Sequence, residues 1–212
     1  MLIYGFTASP FVRKTVVFAT EKGLAVELKP KRPLKDDAEL TACSPVGVIP
    51  GVRDGDFTIS DSSAIVAYMD AIKPDPVLIP TEAKARARTV WFDEFADTML
   101  VVIMNKVFIN RVGAKKFRGV PGDLSIADAA EHEELPPLLD YLESVIPASG
   151  FLVCDKFTLA DISVASQFVN FAHADVIIDA ARYPKVARYI QAIHARPSFA
   201  SLIAQERAFL GT

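Results

Sequence analysis

Three prolines in eight residues, Lys73 to Pro80 (KPDPVLIP), divide this 212-residue chain into two parts of different texture. Proline fixes φ and has no N–H, so such a run suits neither a helix interior nor the middle of a sheet. It reads as a linker. Before it, short apolar runs alternate with helical patterns. After it, no strand-like segment longer than a few residues occurs, so the second part is expected to be all-helical.

The first part can be followed in order. Leu2 to Phe6 is a short apolar strand, broken by Thr7-Ala8-Ser9-Pro10. Ser9 then Pro10 has the form of an N-cap with Pro at the first helical position. Phe11 to Lys22 continues as a helix, with Val12, Val16 and Ala19 on one face, and Gly23 closes it. Ala25 to Leu28 reads as a second strand, which predicts a parallel βαβ unit with a right-handed crossover. Lys29 to Thr41 is polar and reads as a surface loop or short helix. Asp54-Gly55 marks a hairpin between two short apolar runs, and a helix is predicted over Ser62 to Ile72. The order is βαβ followed by ββα.

In the second part, residues 82–110 carry a long helical pattern, and Gly113 to Leu124 reads as a Gly-rich, basic loop. Residues 126–146 are helical, with Pro136-Pro137 expected to kink or interrupt them. Thr158-Leu-Ala-Asp161 is a capping box with Asp in place of the usual Glu. Further helices begin at Tyr183-Pro184 and at Pro197.

Charge excludes some partners. The net charge is -3, with 9 basic against 10 acidic residues before Thr81 and 14 against 16 after it. Neither part forms a polybasic surface, so nucleic acid and membrane are not expected as partners. The longest apolar run, Met99 to Met104, is far shorter than the roughly 20 residues of a membrane span. Two isolated cysteines, Cys43 and Cys154, and no secretory leader pattern point to the cytoplasm. His132, His173 and His194 show no metal-ligand spacing, so no metal is expected.

The richest stretch is Ser44 to Asp70. Asp61-Ser62-Ser63 stands directly before a helix. Free N–H groups at a helix start favour a carboxylate. A small anionic ligand is therefore expected at residues 49–50 and 61–62.

Five segments in this order, YGFTASPFVRK, EKGL, SPVGVIP, DGDFTISDSSAIVAYMD and TLADISVAS, together with ARYPKVARYIQAIHARPSF, resemble a cytosolic glutathione S-transferase. The likeness is to bacterial-type or tau/omega-like members with a serine-containing active site. It implies an α/β thioredoxin-like N-terminal domain over 1–76, an all-α C-terminal domain over 82–212, and a homodimer. It also implies glutathione as co-substrate. Ser9-Pro10-Phe11 resembles the S-P-F of tau-class enzymes, whereas omega-class enzymes carry Cys first. Ser9 would donate a hydrogen bond to the glutathione sulfur, helped by the N–H groups of Phe11 and Val12. Thr7 and Tyr4 are the rival hydroxyls, with Tyr4 expected in the strand.

The resemblance further implies a cis Ile49-Pro50 bond, with the Ile49 backbone pairing the cysteinyl unit. Asp61 and Ser62 would hold the γ-glutamyl end. Val48 departs from the family pattern, standing where a lysine meets the glycyl carboxylate; Lys35, Arg13 or a partner-chain residue are the substitutes. The second substrate would meet Phe11, Met99, Asn105 and Phe108. The implied reaction is conjugation of glutathione to a small, apolar electrophile. Rival readings keep the scaffold: a glutathione-dependent lyase, dehalogenase, isomerase or peroxidase, or a non-catalytic interaction protein. Thiol–disulfide exchange is disfavoured by Ser at residue 9.

Overall fold

The structure is a computed structural model that describes residues 1–33 and 37–212. It divides into two compact units, Met1–Pro80 and Thr81–Thr212.

The first unit is built on a four-stranded mixed sheet. Its strands are β1 (Leu2–Tyr4), β2 (Glu27–Lys29), β3 (Gly51–Asp54) and β4 (Phe57–Ser60), in the order β2-β1-β3-β4. β1 and β2 run parallel, while β3 lies antiparallel to both β1 and β4. Helix α1 (Pro10–Glu21) makes the crossover, a four-residue turn α2 (Ala38–Thr41) precedes β3, and α3 (Ser62–Ile72) follows β4. The architecture is thioredoxin-like. Paired Ile3 and Val52 are fully buried at the sheet centre, with Val12, Val17 and Phe18 from α1 and Ile65 and Met69 from α3 also in the core. Gly5 is required where α1 approaches β1: its φ is 154°, and a Cβ there would lie 2.5 Å from Val12 Cγ2.

The hairpin turns one residue later than the Asp54-Gly55 pair. Asp54 and Phe57 still pair, so the two-residue loop is Gly55-Asp56, with Gly55 at φ 62°. Glycine at the first central position suits a II′-type turn. The three-proline segment is fastened to the first unit. Lys22 Nζ donates to the carbonyls of Pro74 and Pro76, each at 2.7 Å, and Lys73 Nζ to that of Gly23. A second cis bond, Asp75–Pro76, lies in this segment.

The second unit is all-helical among the described residues. Its first helical run is unbroken from Ala83 to Arg118: α4 (Ala83–Glu94), a π turn (Phe95–Leu100), α5 (Val101–Phe108), a second π turn (Ile109–Gly113) and α6 (Ala114–Arg118). The run ends at Gly119 in the left-handed conformation. The expected loop at 113–124 is thus helical over its first half. Lys115, Lys116 and Arg118 supply cations to the last turn, where the helix dipole favours them.

The second run is α7 (Leu124–Ala129), a π turn (Ala130–Glu134) and α8 (Leu135–Val145). Pro136 and Pro137 do not break it. They stand where the π turn passes into α8, and the helical backbone runs on through them. Helices α9 (Leu159–His173), α10 (Pro184–His194) and α11 (Pro197–Leu210) complete the unit.

Helix α9 is buried along almost its whole length. Asp161 fixes its start: Oδ2 accepts the Thr158 N–H at 2.9 Å and Oδ1 the Leu152 N–H at 3.0 Å. Burial raises its carboxyl to about 6, against the downward pull of those N–H groups. Ser163 Oγ donates to the buried Asp93 of α4 at 2.6 Å.

Candidate functional site

The register of the sheet gathers the expected residues at one end. Tyr4, Gly51 and Ser60 lie side by side across β1, β3 and β4. The chain leaves β1 after Tyr4, enters β3 at Gly51 and leaves β4 after Ser60. The loops carrying Ser9, Ile49-Pro50 and Asp61-Ser62 therefore meet at the same edge. Close approach reflects this: a Cβ built on Gly5 would sit 3.4 Å from Ile49 Cβ. The starts of α1 and α3 share that edge, so two helix N-termini contribute positive potential there.

At α3, Asp61 is the N-cap at φ 75°, and its Oδ1 accepts the N–H groups of Ser63 and Ala64 at 2.9 and 3.0 Å. The Ile65 N–H reaches the Asp61 carbonyl. Only the Ser62 N–H is left by this first turn. Ser62 is 3% exposed, so that donor stands at a sheltered position. At α1, Ser9 occupies the N-cap position, but its side chain makes no cap hydrogen bond. The expected capping by its hydroxyl is absent. The Arg13 N–H bonds the Ser9 carbonyl, leaving those of Phe11 and Val12 without intrahelical partners. The Ile49–Pro50 bond is cis.

The glutathione S-transferase N-terminal domain family matches residues 3–77, and the C-terminal domain family matches residues 122–206. A glutathione S-transferase-like protein of a Fusarium species is 30% identical over 200 residues, covering 90% of this chain and 87% of that relative. The chain belongs to the glutathione S-transferase family. A glutathione S-transferase of Hyoscyamus muticus is 28% identical, covering 96% of this chain and 97% of its own. Among solved structures, a glutathione S-transferase from Rhodospirillum rubrum F11 superimposes with a TM-score of 0.86 at 24% identity, over 95% of this chain and 90% of that one.

Not every expected residue of this transferase joins the edge on equal terms. Val48 is 47% exposed, and its N–H donates to Ser44 Oγ at 3.0 Å. Lys35 lies outside the described residues. Arg13 is fully buried, which removes it from any open surface. Tyr4 sits in β1 and is buried, with Cys43 and Leu40 in its cluster. Both cysteines are free; Cys154 is exposed.

In the helical unit, Met99 (42% exposed) and Asn105 present themselves on the surface of the first run, whereas Phe108 is 4% exposed. Phe108 is a core side chain of its own unit. Its place in the sequence pattern, four residues after the buried Met104, fits that role.

Sequence reasoning missed Lys14. Its side chain is 1% exposed and donates from Nζ to Ser63 Oγ at 3.0 Å, linking α1 to the first turn of α3. A lysine one turn into a helix carries no signal of burial. Its partner lies 49 residues away. Lys31 was also missed. It pairs with Asp37 at 2.7 Å and Glu39 at 2.8 Å, and hydrogen bonding to Asp37 raises its pKa and lowers that of Asp37.

Proposed function

We propose that this glutathione S-transferase stabilises the thiolate of glutathione with Ser9 and joins the sulfur to a small, apolar electrophile. The observation that carries the reading is the Ser9 hydroxyl: it stands at the start of α1, at the edge shared with cis Ile49-Pro50 and Ser62, and makes no cap bond.

A free thiol with pKa near 8.5 is mostly protonated at neutral pH. A hydroxyl donor and the positive end of α1 both favour the anion, by about one pKa unit or more. The thiol proton passes to water. The thiolate then forms the C–S bond, and the leaving group departs with its electron pair, or an added carbanion takes a proton from water. No covalent enzyme intermediate is needed, so the protein contributes anion stabilisation and proximity.

In this reading the Ile49 backbone pairs with the cysteinyl unit. The Ser62 N–H and hydroxyl take the γ-glutamyl carboxylate, with Asp61 holding the turn that presents them. Phe11 borders the sulfur. Val48 leaves the glycyl carboxylate without the family's lysine; Lys35 or a partner-chain residue of a homodimer is proposed for it. Action in the cytoplasm accords with two free cysteines.

Calorimetric titration with glutathione tests the binding half. Saturable heat at or below millimolar ligand is expected. The absence of both heat and competition would sink the reading. Conjugation of 1-chloro-2,4-dinitrobenzene, followed by its absorbance change, tests the chemical half.

A further inference from the structure

We infer that Lys14 is a positioning residue for the γ-glutamyl end of glutathione, acting through Ser63, an inference that rests on the glutathione site proposed for this edge.

The geometry is a clamp around Ser62. Lys14 lies on α1 with its side chain 1% exposed, and its Nζ donates to Ser63 Oγ at 3.0 Å. Ser63 is the second residue of α3, directly after Ser62. Its N–H is held by Asp61 Oδ1 at 2.9 Å. Ser63 is therefore gripped twice, through its backbone by Asp61 and through its side chain by α1. Ser62 stands between the two anchors. Its N–H belongs to the planar peptide unit that joins it to Asp61, so the turn at Asp61 sets where that donor points. Asp61 takes a φ of 75°, a costly conformation for a side-chain-bearing residue, which persists only where the surroundings enforce it. The bond from Lys14 is a long-range contact that enforces it, reaching the α3 start from a separate helix.

The charge supports the same role. Burying an ammonium costs desolvation, and lysine is almost never fully buried unless paired. Helix α1 is followed by another buried lysine, Lys22, whose use is structural: it holds the Asp70 carboxylate and the carbonyls of Pro74 and Pro76. Lys14 instead brings its charge to a hydroxyl in the first turn of α3. That turn is already the positive end of a helix, which favours an anion over a cation. The carboxylate of the same turn, Asp61, gives its Oδ1 to the N–H groups of Ser63 and Ala64. A buried ammonium at a helix N-terminus is thus complementary to an arriving carboxylate rather than to the helix. Its effect there is little screened by salt.

Calorimetry with glutathione on wild type, K14M, S63A and K14M/S63A tests the inference. K14M is expected to bind about tenfold more weakly or worse, S63A about threefold or worse, and the double variant no more weakly than K14M. At saturating glutathione the conjugation rate should stay near that of the wild type, because the loss falls on KM and the sulfur end is untouched. The second probe is 4-aminobutanoyl-cysteinylglycine, which is glutathione without its γ-glutamyl carboxylate, measured by competition with S-hexylglutathione. K14M should bind it within about twofold of wild type, whereas a general distortion of the fold would weaken both thiols alike. Equal glutathione affinity in wild type and K14M would overturn the inference. So would equal losses for the two thiols, or losses in the double variant that simply add. Thermal unfolding reads the folding of each variant. If K14M does not fold, S63A decides, and glutathione affinity equal to that of the wild type would overturn the link. Wild type that binds no glutathione would sink the proposed site itself; wild type that binds it, with variants that bind it equally well, would sink only the role of Lys14.

Discussion

The ammonium of Lys22 and the carboxylate of Asp70 lie 2.6 Å apart, with the lysine side chain fully buried. The same ammonium holds the carbonyls of Pro74 and Pro76. One cation thus ties the end of α1 to α3 and to the proline-rich segment. Lys22→Met removes all three attachments and leaves Asp70 without its counter-charge. The expected loss is about 3 kcal/mol, the scale of breaking a buried pair from one side. Urea denaturation measures it, and a loss below about 1 kcal/mol would show the segment to be held by other means.

Ser9→Ala separates binding from activation. The hydroxyl makes no cap bond, so its removal should leave thermal stability and glutathione affinity nearly unchanged. The bound thiol should become harder to ionise. Titration of the ultraviolet thiolate band reads this directly. An unshifted band would assign activation to another donor.

Asp61 and Ser62 should divide stability from affinity. Asp61→Ala removes two bonds to the α3 start and should cost about 1 kcal/mol of folding stability, with Asp61→Asn costing less. Asparagine also tolerates the φ of 75° found there. Ser62→Ala should leave stability alone but weaken glutathione by about 1–3 kcal/mol. Calorimetry and thermal melts on the same variants distinguish the two. Equal glutathione affinity for Ser62→Ala and wild type would remove Ser62 from the site.

Asp161 makes a pH prediction with a definite sign. Burial raises its carboxyl from the ordinary 3.8 to about 6 in the folded protein. Between those values the unfolded chain has lost this proton and the folded chain has kept it. Stability from this group is therefore fully present below about pH 4 and is lost as pH rises through about 6. The gap amounts to about 3 kcal/mol. Asp161→Asn cannot titrate, so its stability should lack this fall. Urea denaturation of both proteins across pH 4 to 7, showing parallel curves, would refute the assignment.

Local chemistry made several features legible. Ser9-Pro10 starts α1 and Asp61 caps α3, each where the residue types alone place them. Thr158 and Asp161 start α9 by a pairing confined to four residues. These rest on backbone groups within one turn, which sequence spacing reports. The π turns and the helical start of 113–124 were not legible, because the periodicity of a helix hardly changes when one turn widens. The burial of Lys14 and Lys22 was hidden for a different reason. Their partners lie 48 to 54 residues away, and a lysine in a helix otherwise reads as solvated.

By itself, the sequence determined the order of elements, the change of texture at the three prolines, and the family. All of these follow from short-range pattern and from motifs in series. Only the tertiary structure decided which donors remain at the shared edge. That depended on the register of Tyr4, Gly51 and Ser60 across three strands and on the N–H groups that Asp61 takes for itself. Hydrogen bonds are exclusive, so the donors left over, at Ser62 and at Phe11 and Val12, emerge only once the bonds around them are assigned.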